Sequence, residues 1–157
     1  MARIIADRLG GRLILEQHDE NPFLTDFYRD PARYALSTQL FFLLWRYQQL
    51  QELSQQDIFF PHVVSDYTFA KNRIFAYLNL EERELKLYEN IHTSMDRNLP
   101  RPDLVIYLQS SLERLMQNIR KRGRAYEKNI TEEYIQSLSE ASNHFFFHYN
   151  ETPLLVV

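Results

Sequence analysis

The run PRPDLVIYL, residues 100–108, decides the fold class. Its two prolines end any helix arriving from the N-terminal side, because proline lacks the helical donor and biases the residue before it towards extended backbone. The apolar run LVIYL that follows does not alternate with polar residues. A strand with one wet face alternates, whereas a strand covered on both faces reads as a continuous apolar run. Three more short runs read the same way: RLIL at 12–15, HVVSD at 62–66 and LLVV at 154–157. Between them lie segments of helical character at 2–9, 31 to about 53, 68–77, 81–97, 110–122 and 131–149. Gly10 and Gly11 stop the first of these, and Asn21 with Pro22 opens a short helical turn. Strands alternating with helices predict an α/β domain, a parallel sheet with helices on both faces. Ligands of such folds gather at the carboxyl ends of the strands. Here those ends carry Glu16, Ser65–Asp66 and Leu108–Ser111.

Composition sets the outer bounds. The 157 residues suit one domain, and the 45% hydrophobic content with three glycines indicates an ordered globule. No cysteine is present, which excludes disulfides and thiolate metal sites and fits a reducing compartment. The five histidines are read as scattered, so no metal site is expected. The apolar run LFFLLW is far shorter than the roughly 20 residues a membrane span needs, and no membrane association is expected. The net charge of −3 argues against general nucleic-acid binding. Against that background RKRGRAYEK, residues 120–128, places five cations in nine residues.

Three groups of residues could carry chemistry. In PARYALSTQLFFLLWRYQQL, residues 31–50, the helix is apolar nearly all round and is expected to be buried. Gln39 and Arg46 interrupt it on one stripe, since seven residues bring them within about 20°. They form either an internal polar pairing or a slot for a planar ligand, with Gln39 offering donor and acceptor and Arg46 a fork. Glu16 at a strand end is a candidate general base, or part of a capping network with Asp19, Glu20 and Asn21. Tyr28 and Asp66 are a hydroxyl and a carboxylate that serve either structure or ligand. In the basic stretch, Arg122 and Arg124 flank Gly123. Cations there complement a helix dipole, or converge on a phosphate as a closing lid, or form an RNA-binding arm.

The runs ENPFLTDFYRDPARYALSTQLFFLLWRYQQ (20–49), VVSDYTFAKNRIFA (63–76), PDLVIYL (102–108) and RGRAYEKNI (122–130) resemble the deoxynucleoside kinases. The likeness is to the bacterial deoxyadenosine/deoxyguanosine kinase branch in particular and covers essentially the whole chain. It implies a P-loop-kinase-like architecture in one domain, 1–157, with a lid at about 118–130. It further implies transfer of the γ-phosphoryl of ATP, with Mg²⁺, to the 5′-hydroxyl of a purine deoxynucleoside, in a cytoplasmic homodimer. By the same likeness Glu16 is the base, Gln39 reads the base edge beside Arg46, and Tyr28 and Glu127 hold the sugar 3′-hydroxyl. Leu24, Asp66 and Phe75 belong to the substrate pocket, and Arg122 and Arg124 reach the phosphates. Three departures stand out. Tyr67 occupies a position where the family carries arginine, and Asn118 occupies another. The loop G-x-x-x-x-G-K-[ST] that cradles donor phosphates has no counterpart, since the glycines stand only at 10, 11 and 123. The expectation is therefore a partial kinase whose first strand and phosphate loop are missing and whose transfer is weak or absent. The alternatives are a non-catalytic nucleoside-binding module and a nucleic-acid binder acting through residues 120–128.

Overall fold

A computed structural model describes residues 1–17, 20–56 and 61–157. The chain opens with helix α1 (Ala2–Leu9), which ends where Gly10 takes the left-handed conformation at φ 60°. Gly11 follows beneath the backbone of His62: a Cβ there would stand 2.9 Å from the His62 carbonyl oxygen. That close approach lets the Arg12 amide donate to the same carbonyl at 2.9 Å. It starts strand β1 (Arg12–Ile14) alongside strand β2 (Val63–Ser65), parallel and in register from Arg12↔Val63 to Ile14↔Ser65.

A short helix α2 (Leu24–Phe27) and a long helix α3 (Pro31–Gln56) intervene between those strands. Asn21 ties the two helices together. Its Oδ1 accepts from the Phe23 amide at 3.0 Å, and its Nδ2 donates to the Thr38 carbonyl at 3.1 Å. The turn opened by Asn21 and Pro22 thus becomes helical only from Leu24. Asp19, assigned above to a capping network, lies outside the described residues.

After β2 come α4 (Lys71–Asn79) and α5 (Glu82–Asp96), then strand β3 (Val105–Tyr107) and α6 (Leu112–Arg122). A 3₁₀ turn (Ala125–Asn129) leads to α7 (Glu132–Phe147) and strand β4 (Leu154–Val156). The caps explain the reversal between α6 and α7. Ser111 Oγ accepts from the Arg114 amide to open α6, Gly123 at φ 65° closes it, and Thr131 Oγ1 accepts from the Tyr134 amide to open α7. Strand β3 pairs with β4 in parallel from Val105↔Leu154 to Tyr107↔Val156.

The α/β class and the parallel pairing are as the sequence predicts, with two differences of detail. The described strands form two separate two-stranded sheets, β1–β2 and β3–β4. The continuous apolar run of β3 is also covered on one face only. Val105 is buried and Tyr107 stacks on Phe146 of α7 at 4.3 Å, while Leu104, Ile106 and Leu108 are 37–51% exposed. Leu155, the partner of Ile106, is exposed as well. Apolar composition on both faces cannot by itself say which face is covered.

The main core gathers around α3. Ala35, Phe42 and Leu43 pack with Leu24 and Phe27 of α2, Phe69, Ala76 of α4, Leu80, Tyr88 of α5 and Leu99. Contrary to the expectation of burial all round, Leu44 is 46% exposed and Trp45 only half-buried. The described chain packs one side of α3 and leaves this side to solvent.

Candidate active site

The residues singled out in the sequence come together in a cavity of about 540 Å³. It is bounded by the end of β1, by α2, α3 and α4, and by the α6–α7 reversal. Glu16, Leu24, Tyr28, Gln39, Arg46, Phe75, Arg122, Arg124 and Glu127 all line it.

Glu16 follows β1 and points at α3. Its side chain is 3% exposed, and it is ion-paired with Arg46 through one oxygen and with Lys71 through the other, the latter at 3.5 Å. Arg46 is equally buried and also donates to Asn72 Oδ1. Its guanidinium sits 5.1 Å from the Phe42 ring centre and 5.6 Å from that of Tyr67. Burial pulls Arg46 down to about 10, against the opposing influence of Tyr88, Tyr67 and Asp66. It remains charged at neutral pH.

Asp66 is the one expected pocket residue that the structure does not bring to the cavity wall. Its Oδ1 accepts from the Glu16 backbone amide at 2.8 Å. The carboxylate is used on the main chain and braces the turn that aims Glu16. Tyr67 likewise does not line the cavity. It packs with Ile14 and Leu53, and its hydroxyl donates to Gln49 Oε1 at 2.6 Å.

Gln39 is 4% exposed and lines the cavity, and among the described residues its amide makes no hydrogen bond. Facing the cavity, the amide is placed to meet a ligand that presents a donor and an acceptor. Leu24, Phe27, Phe42 and Phe75 surround it with apolar surface suited to a flat ring.

The α6–α7 side is held by Glu127. Arg122 makes a two-point contact with it, Nε to Oε2 at 3.1 Å and Nη2 to Oε1 at 2.6 Å. Arg124 lies 3.8 Å from the same carboxylate and 5.8 Å from the Tyr126 ring centre. Tyr126 in turn stacks on Tyr28 at 6.0 Å with an interplanar angle of 8°. Burial, then the neighbouring Tyr134 and Glu127, push the Tyr28 hydroxyl well above its ordinary value, so it stays a donor. Of the other cations in the stretch, Arg120 pairs with Glu132 at 3.3 Å on the surface. Asn118, where the family carries a further arginine, lines the cavity as a neutral side chain.

Two features escaped the sequence reading. Lys71 contacts Glu16 and lines the cavity. Its signal was its place four residues before Phe75, on the same helix face. His144 and His148 also prove to be a spaced pair on α7, with rings 4.5 Å apart. Even so, among the described residues no three His, Asp or Glu side chains gather as a metal site. Lys71, Arg122 and Arg124 line one cavity.

A family model described as deoxynucleoside kinase matches residues 1–157. The chain belongs to the deoxynucleoside kinase family. Among the relatives of this kinase-family chain is deoxyguanosine kinase of Bacillus subtilis, 35% identical over 141 residues, covering 88% of this chain and 67% of the relative. Deoxyadenosine kinase of Dictyostelium discoideum is 33% identical over 135 residues, covering 83% of this chain and 54% of that protein. In three dimensions it resembles the deoxyadenosine kinase of M. mycoides solved with bound dATP. The TM-score is 0.86 at 25% identity, over 99% of this chain and 81% of that one.

Proposed function

We propose that this chain forms the acceptor site of a deoxynucleoside kinase that phosphorylates the 5′-hydroxyl of a purine deoxynucleoside. The observation that supports this most is the convergence of Glu16, Gln39, Tyr28 and Glu127 on one cavity with four cations, Arg46, Lys71, Arg122 and Arg124. In this reading the base lies between the apolar walls with its edge on the Gln39 amide. Tyr28 and Glu127 take the sugar 3′-hydroxyl, which directs the 5′-hydroxyl towards Glu16. Glu16 accepts the proton of that hydroxyl, and Arg46 and Asp66 hold it in place from behind. A bound nucleoside triphosphate supplies the phosphoryl group, and Arg122 and Arg124 offer its oxygens charge.

Deoxyguanosine and deoxyadenosine are both to be titrated against the full chain by calorimetry and thermal shift. One of them is expected to bind saturably and to raise Tm, and Gln39→Ala is expected to abolish the shift. No binding of either nucleoside by the unaltered chain defeats the reading.

Two further parts of it concern assembly and location. The open face of α3 carries Phe41, Leu44 and Trp45, and Leu87 of α5 is 51% exposed. These residues are proposed as a homodimer face. Among the described residues no helix is long and apolar enough to cross a membrane. A cytoplasmic site of action follows from the proposed metabolism of nucleosides and not from that observation.

A further inference from the structure

Among the described residues Glu16 meets two cations, and only one of them is fixed. Arg46 is enclosed, bonded to Asn72 and set between two aromatic rings. Lys71 reaches the other carboxylate oxygen at 3.5 Å, longer than the 2.7–2.9 Å of a tight charged hydrogen bond. A third of its side chain is exposed, and its ammonium hangs 5.4 Å from the Phe75 ring centre at the cavity wall. One carboxylate needs one cation. Asp66, bonded to the Glu16 amide, offsets the second cation in the free protein, so Lys71 becomes a spare positive charge at the cavity wall only when a substrate takes its place on Glu16. Tyr67 cannot supply that charge, being committed to the core beside Ile14 and to Gln49.

We propose that Lys71 is a further catalytic residue of the transfer reaction, capping one oxygen of Glu16 in the free protein. When the acceptor hydroxyl takes that oxygen, the Lys71 ammonium turns to the phosphoryl oxygens arriving above it. The proposal rests on the kinase reading above. In the step itself the bond from the 5′-oxygen to phosphorus forms and the bond from phosphorus to the leaving nucleoside diphosphate breaks. The hydroxyl proton passes to Glu16, and Lys71 gives up nothing. The groups facing Lys71 are Glu16 after β1, Arg46 on α3, Asp66 after β2 and Arg122 at the end of α6. Burial, with Arg46 next, pulls the ammonium down to about 8, so its charge fades above that pH.

The test is calorimetry on the full chain with deoxyguanosine and deoxyadenosine and with the 5′-monophosphate of each, for the unaltered chain, Lys71→Gln and Lys71→Arg. At pH 7 the unaltered chain is expected to bind a monophosphate more tightly than its nucleoside, with the advantage shrinking above about pH 8. Lys71→Gln should weaken the monophosphate about tenfold to a hundredfold and the nucleoside less than about threefold. Lys71→Arg should restore the advantage and keep it at alkaline pH, because a guanidinium does not titrate there. Unchanged monophosphate affinity in Lys71→Gln, or an equal loss for both ligands, overturns the role of Lys71. Failure of the unaltered chain to bind any nucleoside overturns the acceptor-site reading itself, and is distinguished by that control.

Discussion

At Glu16 a carboxylate that must later take a proton is almost wholly enclosed, and its two partners set what substitution does there. Glu16→Gln keeps shape and hydrogen bonding while removing the basic oxygen. Phosphoryl transfer is expected to fall about 10²–10⁴-fold, the usual worth of a positioned base, with nucleoside affinity nearly unchanged. Steady-state rates set beside calorimetry check this, and wild-type turnover removes Glu16 from the role. Glu16→Ala should behave differently. It leaves Arg46 buried without its counter-charge, a loss of about 3–5 kcal/mol in urea unfolding.

His92 gives the pH dependence at this scale. It is buried against Phe69, with ring centres 4.7 Å apart, and burial lowers its proton affinity below the ordinary 6.5. The unfolded chain then binds a proton more readily than the native one. Stability is full above pH 6.5 and declines as the pH falls through the lowered value. The urea midpoint should drop on acidification from pH 7 to 5, and His92→Phe should flatten that slope.

At the scale of elements the glycines carry the sharpest consequences. Gly123 turns α6 into the 3₁₀ segment that presents Arg122, Arg124 and Glu127. Its φ of 65° costs an L-residue about 1–2 kcal/mol, and Gly123→Ala should lower stability by that amount. Nucleoside affinity should fall with it, because Glu127 moves. At Gly11 the obstacle is space: Gly11→Ala presses a methyl onto the His62 carbonyl and should cost about 1–3 kcal/mol by prising β2 from β1. Denaturant unfolding reads both.

These same elements show what was legible. The end of α1 was, because Gly10 is a local signal whose geometry does not depend on the rest of the chain. Gln39 and Arg46 were legible as a stripe, because seven residues return a helix to nearly the same side. The contact between Glu16 and Lys71 was not. It joins the end of a strand to the start of a helix 55 positions away, and nothing local in either segment encodes it. The open faces of β3 and α3 were hidden for a related reason: apolarity declares a wish for cover and not its provider.

For the whole molecule, the exposed apolar side of α3 and α5 sets the expectation for assembly. Leu44→Glu should convert a dimer to a monomer in sedimentation while leaving Tm within a few degrees, since Leu44 is half in solvent within one chain. An unaltered chain that sediments as a monomer at micromolar concentration sinks the dimer proposal.

The division of the strands into two ladders has a consequence for motion. Glu16 extends from the β1–β2 ladder, while Tyr107 and Ser110 reach the same cavity from the β3–β4 side. With no main-chain bonds joining the ladders among the described residues, their amide protons should trade with deuterium through separate openings, the more exposed β3–β4 pair faster. A guest wedged between them would fasten one to the other, and both sets of protons would then slow by a common factor.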